Sequence, residues 1–468
     1  MKYACLFASL LAGLALNGCS NQSSPSTLNV AVVGDATNIL DVATTQGLVA
    51  FDEDGQIEPA LAERWAVTDD GLAYIFRLAQ IRGRNGHIIE AGEIAHTLKE
   101  RVAAAPNNRI GSLFETVEDV VGMTNRVIEI RLKTPRPSLL QLLAQPELGV
   151  RHNGQGTGPF AQSGPSKAAI TLKRINLPDT SAEDDGTVTQ VTLDMLAAEQ
   201  AVARFKAGKE QAVLGGTLAD YHIMRAANIR ATRFIADPVQ GVFGFMFTAT
   251  GRLGDDAQMR QAMNMVVDRD ALTRMLNLPG WQARTTILPA RLDTGSDPAI
   301  PDWATAPLDT RLALAPPIVS AWRARHLNDN LIRIAMPKTG LWRVVYARLR
   351  ADWRTIGLDV QRVDPGAAAD LVLIDEVAPD SSANWYFARL GCHAGTPCDT
   401  ASEQTLDDAR AADTLDTRAA AFTRADQAYT LNAPAIILGN PFRWALTSAQ
   451  TPGLHANPFA LHPLTHLR

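Results

Sequence analysis

Segments with the pattern of buried strands alternate along this chain with segments that have the pattern of amphipathic helices. Residues 28–33 (LNVAVV) and 242–249 (VFGFMFTA) are near-continuous apolar runs, which is typical of strands buried on both faces. Residues 197–206 and 342–357 instead repeat their apolar residues at helical spacing. Because this alternation occurs in both halves, it predicts the α/β class. At 468 residues, the chain is expected to form two or three folding units.

The first residues have the pattern of an export signal followed by a lipid-attachment motif. An apolar run at residues 4–16 has the length of a signal core and is too short for a membrane span. It ends in LNGCS (residues 16–20), where a small glycine precedes Cys19 as in a bacterial lipobox, and a polar tether follows. We therefore predict a signal peptide at residues 1–18, a lipidated tether at residues 19–27, and a periplasmic protein held to the membrane by its lipid anchor alone. The alternative is an ordinary secreted protein in which Cys19 is incidental.

Two further cysteines lie close together in GCHAGTPCD. In an oxidising compartment, Cys392 and Cys398 predict a short-loop disulfide. A metal site built from Cys392, His393 and Cys398 is a more specific alternative, but the sequence offers no fourth ligand at a spacing typical of zinc sites. No metal and no other cofactor are therefore predicted.

The sequence carries no motif that supports catalysis. It lacks a Gly-x-Ser-x-Gly elbow, a His-Glu-x-x-His pair, a Walker loop and a Rossmann glycine set after a strand. GQGTGPF (residues 154–160) resembles a phosphate loop only superficially, because the Lys-Ser/Thr that completes such a loop is missing. The net charge of −5, without a run of Lys or Arg, argues against a nucleic-acid partner. These features predict a protein that is not an enzyme.

Several segments have more specific local patterns. Residues 59–64 predict a short helical turn, and residues 65–78 predict a β-hairpin closed by a Thr-Asp-Asp-Gly turn. Residues 255–276 predict one amphipathic helix. Residues 281–315 are rich in proline and turn residues and predict a long irregular loop. A helix is predicted over residues 416–430, capped at its N-terminus by its own first residue, an aspartate.

Four stretches carry a signature through their shared order along the chain. They are a strand, a helix at Pro-Ala-Leu-Ala and a Trp-to-Asp-Gly hairpin at residues 47–78, a turn and helix at 85–99, the bend GTGPF at 156–160, and a helix with an Arg-Gln-Ala start at 259–272. Together they resemble family 5 of the extracytoplasmic solute-binding proteins, which serve ABC importers of peptides, nickel and related solutes. The resemblance extends over nearly the whole mature chain.

This resemblance implies a periplasmic-binding-protein-like type II fold (cluster C), with two lobes and a third small inserted lobe. Lobe I is expected to combine residues 28–49, 156–240 and 436–468, the small lobe to span 50–155, and lobe II to span 241–435. Strands that cross near residues 241–245 and 436–439 would let the lobes close on a solute. The partners implied are a peptide or other small solute and the permease subunits of an ABC importer, and the protein is expected to be a monomer.

The sequence departs from the family at its ligand site. The segment at residues 34–49 is abridged, so one wall of the pocket is expected to be missing or rebuilt. Peptide-binding relatives hold the ligand's α-ammonium with the aspartate of a Trp-x-Ala-Asp-Tyr stretch. When the chain is aligned on Asp370, Glu376 stands at the position of the tryptophan. Pro379 falls on the aspartate, and Asp380 lies one residue beyond.

The candidate ligand-binding residues are Asp375, Glu376, Asp380, Trp385 and Tyr386. The three carboxylates are candidates because a buried ammonium without a carboxylate partner costs several kcal/mol. The alternative for each carboxylate is a solvated position in a loop. The alternative for the two aromatic residues is a place in the core.

Three functions follow as hypotheses. The first is capture of a short peptide or similar small solute and its delivery to an ABC permease. The second is a transport-inactive solute-binding homologue that acts as a sensor or scaffold, motivated by the abridged segment and the altered carboxylate site. The third is a lipoprotein hydrolase of an unrecognised class.

Overall fold

The computed structural model describes residues 27–83, 86–104, 114–163, 169–175, 188–327, 329–397, 399–451 and 453–467. Cys19 and Cys398 lie outside the described residues, so the export signal, the lipid attachment and the partner of Cys392 stay predictions. Within the described ranges, no helix has both the length and the apolar character needed to cross a bilayer.

The strands, in chain order, are β1 (Thr27–Val33), β2 (Val49–Phe51), β3 (Ile57–Pro59), β4 (Ala62–Val67), β5 (Ala73–Leu78), β6 (Val117–Thr124), β7 (Val127–Leu132), β8 (Arg151–His152), β9 (Gln155–Gly156), β10 (Phe160–Ser163), β11 (Ala169–Arg174), β12 (Gln190–Leu196), β13 (Ala212–Thr217), β14 (Phe234–Ala236), β15 (Gly241–Phe247), β16 (Leu331–Ala335), β17 (Asp359–Val363), β18 (Leu371–Val377), β19 (Ala435–Gly439) and β20 (Arg443–Thr447). The helices are α1 (Thr37–Thr44), α2 (Ala91–Ala104), α3 (Leu139–Leu143), α4 (Ala198–Lys206), α5 (Tyr221–Ala226), α6 (Ala257–Met265), α7 (Arg269–Leu276), α8 (Leu308–Arg325), α9 (Trp342–Arg354), α10 (Ala383–Leu390), α11 (Thr400–Ala411) and α12 (Leu415–Asn432).

A seven-stranded sheet has the strand order β10-β11-β12-β1-β13-β20-β14. Its central strand β1 lies parallel to β12 and β13, and the outer pairs are antiparallel. Val30, Ala31 and Val32 are all fully buried. This burial is what the apolar run at residues 28–33 predicts for a strand covered on both faces.

A five-stranded sheet has the order β17-β16-β18-β15-β19. Phe243, Phe245 and Phe247 of β15 are buried in it, as the apolar run at residues 242–249 predicts. Helix α9 packs beside β17. Gly357 follows that helix with a φ of 80°, the left-handed conformation that commonly ends helices.

A four-stranded antiparallel sheet, β4-β5-β7-β6, contains the predicted hairpin. Its turn is closed by a bond from the Gly71 backbone N–H to the Thr68 carbonyl oxygen at 2.8 Å. The helical turn predicted over residues 59–64 is wrong, because β3 and β4 occupy that range. Ala62 pairs with Leu78 across the sheet, and this pairing outweighs the helix propensity of the segment.

The helix predicted over residues 255–276 is two helices, α6 and α7. The break lies at Asp268, whose carboxylate accepts a bond from the Ala271 backbone N–H at 2.9 Å and so caps α7. The apolar period continues across the break, which is why the sequence pattern does not reveal it. The helix predicted from residue 416 likewise begins one residue earlier, since Thr414 caps α12.

The irregular loop predicted over residues 281–315 ends earlier than expected. Helix α8 begins at Leu308 and contains Pro316 and Pro317. Proline in a helix interior removes a backbone donor and costs stability locally. Burial of Val319 and Trp322 against the core accompanies this helix and offsets that cost.

Two stretches of chain join the seven-stranded sheet to the five-stranded sheet. The first crossing segment, residues 237–240, runs from β14 into β15, and the second, residues 440–442, runs from β19 into β20. The crossings predicted near residues 241–245 and 436–439 lie just beside these segments, inside β15 and β19. Residue 436, the predicted start of the last part of lobe I, lies in β19, which pairs with β15 in the five-stranded sheet. The division into lobes stays a prediction.

Buried apolar side chains from both sheets form one continuous cluster. Val33 and Trp444 from the seven-stranded sheet belong to it together with Phe243 from the five-stranded sheet. The rings of Tyr221 and Phe442 lie 5.1 Å apart in the same cluster. One apolar cluster therefore includes residues of both sheets.

Candidate functional site

The predicted ligand residue Asp375 lies on β18, where the two sheets meet. Arg443 of β20 places its Nη1 at 3.0 Å from Asp375 Oδ1 and donates from Nη2 to the Asp375 carbonyl oxygen at 2.8 Å. The two side chains are only 15% and 17% exposed. This ion pair therefore links the five-stranded sheet to the seven-stranded sheet, directly after the second crossing segment.

Glu376 occupies the opposite face of β18, because successive side chains of a strand alternate. Its carboxylate accepts two bonds from Arg389 of α10, from Nε at 2.8 Å and from Nη2 at 2.5 Å. The Glu376 side chain is 31% exposed. Glu376 and Asp375 are thus adjacent in sequence but face different parts of the protein.

Asp380 is enclosed by protein groups. Ser138 donates to Asp380 Oδ2 at 2.8 Å, and Arg136 Nη2 lies 3.3 Å from the same oxygen. Both partners precede α3, and Asp380 itself is 2% exposed. Burial raises the pKa of the Asp380 carboxyl, and the nearby Arg136 guanidinium opposes that shift. Asp380 is therefore not a solvated loop carboxylate, and in this arrangement its carboxylate is closed to a solute.

Further polar contacts bind the loop around Asp380 to the residues near α3. The Gln145 side chain donates to the Pro379 carbonyl oxygen at 2.6 Å. Arg418 of α12 donates to the Pro135 carbonyl oxygen at 2.6 Å and lies 3.1 Å from Asp293 Oδ2. These partners come from three distant parts of the chain, and no local sequence signal connects them.

Trp385 and Tyr386 lie on α10 and are fully buried, so the structure places them in the core. Their rings meet edge to face at 4.9 Å. Neither Trp385 Nε1 nor the Tyr386 hydroxyl has a hydrogen-bond partner within the described part of the chain. Burial raises the pKa of the Tyr386 hydroxyl, while the nearby Arg284 cation acts in the opposite direction.

Arg284 contacts both crossing regions, and the sequence reasoning missed it. Its Nη1 donates to Asn440 Oδ1 at 2.6 Å, and its Nη2 donates to the Gly241 carbonyl oxygen at 2.9 Å. Burial lowers the pKa of Arg284 to about 10, so it remains a cation at neutral pH. A lone arginine in an irregular segment gives no signal that it will reach both β15 and the second crossing segment.

A cavity of about 230 Å³ lies away from these residues, between α1, the hairpin of β2 and β3, and the C-terminal residues. Glu58, Arg174 and His466 are the charged or titratable residues that line it. Glu58 Oε1 lies 3.0 Å from His466 Nε2, and Arg174 donates to the Thr465 carbonyl oxygen at 3.0 Å. Because these groups already bind one another or the backbone, and ligand pockets usually exceed about 300 Å³, the cavity is a weaker candidate than the sheet junction.

Metal-binding geometry is also absent from the described residues. No group of three His, Cys, Asp or Glu side chains there is arranged to hold a metal ion. Cys392 is disulfide-bonded. Its predicted partner, Cys398, lies outside the described residues, so the pairing stays a prediction.

The fold is that of solved type II periplasmic binding proteins. Haemophilus influenzae OppA in complex with RPPGFSPFR superposes with a TM-score of 0.77 over 94% of this chain and 98% of that chain, at 15% identity. The Escherichia coli murein tripeptide binding protein MppA superposes with a TM-score of 0.78 over 95% of this chain and 99% of that chain, at 16% identity. At these identities, the similarity establishes the fold alone.

The relatives that match by sequence are named as binding proteins. The probable deoxycholate-binding periplasmic protein YgiS of Escherichia coli K12 is 29% identical over 28% of this chain and 28% of its own length. The glutathione-binding protein GsiB of Salmonella paratyphi A is 23% identical over 52% of this chain and 50% of its own length. This chain thus spans about half or less of the relatives that it matches. The profile of bacterial extracellular solute-binding proteins, family 5, matches residues 56–364. Since that match covers more than half of the chain, the protein belongs to family 5 of the bacterial extracellular solute-binding proteins.

Proposed function

We propose that the protein captures a short peptide or similar small solute between its two larger sheets and delivers it to an ABC permease. The observation that supports this proposal is the Asp375–Arg443 ion pair, which links the two larger sheets beside a crossing segment. In this proposal, the seven-stranded sheet belongs to lobe I, the five-stranded sheet to lobe II and the four-stranded sheet to the small lobe. The crossing segments act as the hinge about which lobes I and II close.

The charges at the junction suit a solute with two oppositely charged ends. On opening, the solute's ammonium would replace Arg443 beside Asp375, and its carboxylate would replace Asp375 beside Arg443. Each charge keeps a partner in this exchange, which avoids the large cost of leaving one buried and unpaired. Peptides with free termini meet this requirement, and their extended backbone can also pair with strand edges.

A solute that binds only the folded protein must stabilise it, by about 2.7 kcal/mol at a concentration 100 times its Kd. We therefore expect a thermal-shift screen of di- to pentapeptides, metals and sugars to find stabilising peptides. Replacing Arg443 by Gln is expected to weaken their binding at least roughly tenfold, because an ion-paired carboxylate loses its partner. Calorimetric titration of the best peptide measures the change.

The matched control is Arg389→Gln, which removes the arginine paired with Glu376 on the other face of β18. We expect it to leave peptide affinity within about twofold, since its side chain does not face the junction. Equal losses in the two variants, or no loss in either, would refute the exchange of charges at Asp375 and Arg443.

A transport-inactive homologue that acts as a sensor or scaffold is the second candidate. The observation that favours it is that Asp375, Glu376 and Asp380 each pair with an arginine of the chain itself. A protein whose candidate carboxylates are already paired with its own arginines has no need of a solute's ammonium. Complete silence of the thermal-shift screen across peptides, metals and sugars would support this candidate over the first.

We also infer a lipid anchor at Cys19 and a location at the periplasmic face of a membrane. The order of apolar run, small residue, cysteine and polar tether supports this inference. Cells given a fatty-acid probe are expected to label the wild-type protein and not the Cys19→Ser variant. An unlabelled wild-type protein, recovered in soluble form, would reject the anchor.

A further inference from the structure

The C-terminal residues 455–466, here called the C-terminal strap, lie against the hairpin of β2 and β3 and against the first crossing segment. Each histidine of the strap contacts a carboxylate from one of these two elements. The pairs are His455 Nδ1 with Asp54 Oδ1 at 3.1 Å, His462 Nε2 with Asp237 Oδ2 at 3.2 Å, His466 Nδ1 with Glu53 Oε2 at 3.1 Å, and His466 Nε2 with Glu58 Oε1 at 3.0 Å. The strap is thus attached at both ends through groups whose charge depends on pH.

His466 has a carboxylate at each ring nitrogen. A neutral imidazole carries one N–H and can donate to only one of them, whereas an imidazolium donates to both. The side chain is 25% exposed, so water screens these pairs only in part. Protonated His466 therefore ties Glu53 and Glu58 together, while neutral His466 leaves one carboxylate facing a lone pair.

The middle of the strap reaches the first crossing segment. Asp237 accepts a bond from the Asn457 backbone N–H at 2.9 Å in addition to its contact with His462. The Asp237 backbone N–H in turn donates to the Arg443 carbonyl oxygen at 3.0 Å, next to the second crossing segment. The strap is therefore hydrogen-bonded to the first crossing segment, which is itself bonded to Arg443.

Uncharged contacts give the strap a defined seat on the hairpin. The rings of Phe51 and Phe459 stack at a centroid distance of 4.3 Å. Gly55 has a φ of 77°, and a Cβ there would approach Pro458 Cδ to 2.6 Å, so only glycine fits this turn. These contacts do not depend on pH, and they keep the histidines in register with their carboxylates.

We propose that the C-terminal strap is a pH-sensitive fastening that holds the β2–β3 hairpin to the first crossing segment while His466 is protonated and loosens it as the pH rises. This inference goes beyond solute capture and is independent of the solute. Its physiological setting is a compartment whose pH follows that outside the cell. A looser strap leaves the hinge less restrained and so changes the ease with which the lobes separate.

The charges around His466 favour its protonated form. Asp52, Glu53 and Glu58 face it from the hairpin. The cation nearby is Arg174 of β11, which is occupied by the Thr465 carbonyl oxygen. Helix α1 also packs there, and its Asp41 is bound to Arg151 at 2.7 Å, so it adds little.

These contacts set the direction of the pH effect. The bond to Glu58 is the main cause that raises the pKa of His466 above its usual 6.5, against the effect of burial. Because the pKa is higher in the folded protein, the fastening is complete below that usual value and is lost as the pH rises through the folded-state value.

The test is hydrogen exchange of the full chain at about pH 6 and pH 8.5, corrected for intrinsic chemistry, which brackets the titration of a histidine. In the wild type, the hairpin amides at residues 52–56 are expected to lose protection roughly two- to fivefold over this range, the effect of a partly screened ion pair. In His466→Gln, the hairpin amides are expected to show, at both pH values, the low protection that the wild type shows at pH 8.5. Glu58→Gln, which keeps the side chain's shape, is expected to reduce the pH response as well.

The matched control is His96→Gln, since His96 pairs with Glu100 on the exposed surface of α2. It is expected to retain the full pH response of the hairpin. The proposal is overturned by an equal pH response in the wild type and in His466→Gln, or by stronger protection at the higher pH.

Discussion

Replacing Asp380 by alanine is expected to lower the free energy of unfolding by about 3–5 kcal/mol, because it leaves the buried Arg136 guanidinium without its carboxylate. The two side chains are 0% and 1% exposed, so water cannot take the place of the missing partner. Ser138 also loses its acceptor at 2.8 Å. Urea unfolding followed by tryptophan fluorescence measures the change.

The control is Glu376→Ala, which removes a carboxylate of the neighbouring strand β18 from an arginine pair that is about a third exposed. We expect this change to cost no more than about 1 kcal/mol, because solvent screens exposed ion pairs. Similar losses in the two variants would contradict the structural role of Asp380. A folded Asp380→Ala protein of unchanged stability that no longer binds peptides would instead restore Asp380 as the ammonium ligand.

The sequence predicted the strands well where burial leaves a clear pattern. Strands β1 and β15 are buried on both faces and therefore read as apolar runs. Strand β5 is buried on one face, so its apolar residues alternate with other residues. The hairpin turn at residues 68–71 was predictable because Asp and Gly have specific conformational roles there. In each case, the pattern that indicates the structure lies within a few consecutive residues.

The errors arise where distant packing decides the structure. The break at Asp268 depends on a cap that competes with a continuous apolar period. Residues 308–315 were predicted to be irregular together with the proline-rich stretch before them, although the helix that begins at Leu308 is stabilised by burial further along, at Val319 and Trp322. Local propensity is a weak guide when tertiary contacts oppose it.

The candidate site stays a prediction, and the surroundings of its residues could not be read from the sequence. The family pattern led to the end of β18 and the loop after it, and Asp375 and Glu376 lie on that strand while Asp380 lies in the loop. Their arginine partners come from positions 136, 389 and 443, and only the folded chain brings these together. The tertiary structure therefore decides whether a carboxylate is solvated, paired or buried. The neighbouring residues in the sequence do not reveal it.

Arg260→Met is expected to destabilise the protein by about 3–5 kcal/mol, as large as the loss at Asp380, because several buried acceptors lose one shared donor group. Arg260 is the arginine of the Arg-Gln-Ala start by which the family was identified, and it is 2% exposed. Its guanidinium donates to the Leu253 and Gly254 carbonyl oxygens at 2.7 and 2.5 Å and to Asn432 at the end of α12. A cation at the C-terminal carbonyls of a helix is also favoured by the helix dipole.

Burial lowers the pKa of Arg260 to about 10, so the group is still charged at neutral pH and its hydrogen bonds are charge-assisted. Arg260→Lys is expected to recover only part of the loss, because one ammonium cannot reach all the acceptors that the guanidinium binds through different nitrogens. Arg325→Met is the matched control, since Arg325 pairs with Asp256 at the start of the same helix but is 62% exposed. Its expected cost is within about 1 kcal/mol. Two outcomes would contradict this explanation: full stability of Arg260→Lys, or a loss in Arg325→Met as large as that in Arg260→Met. Either result would mean that the positive charge of Arg260 stabilises the protein, and that its hydrogen bonds to the loop before α6 and to the end of α12 do not.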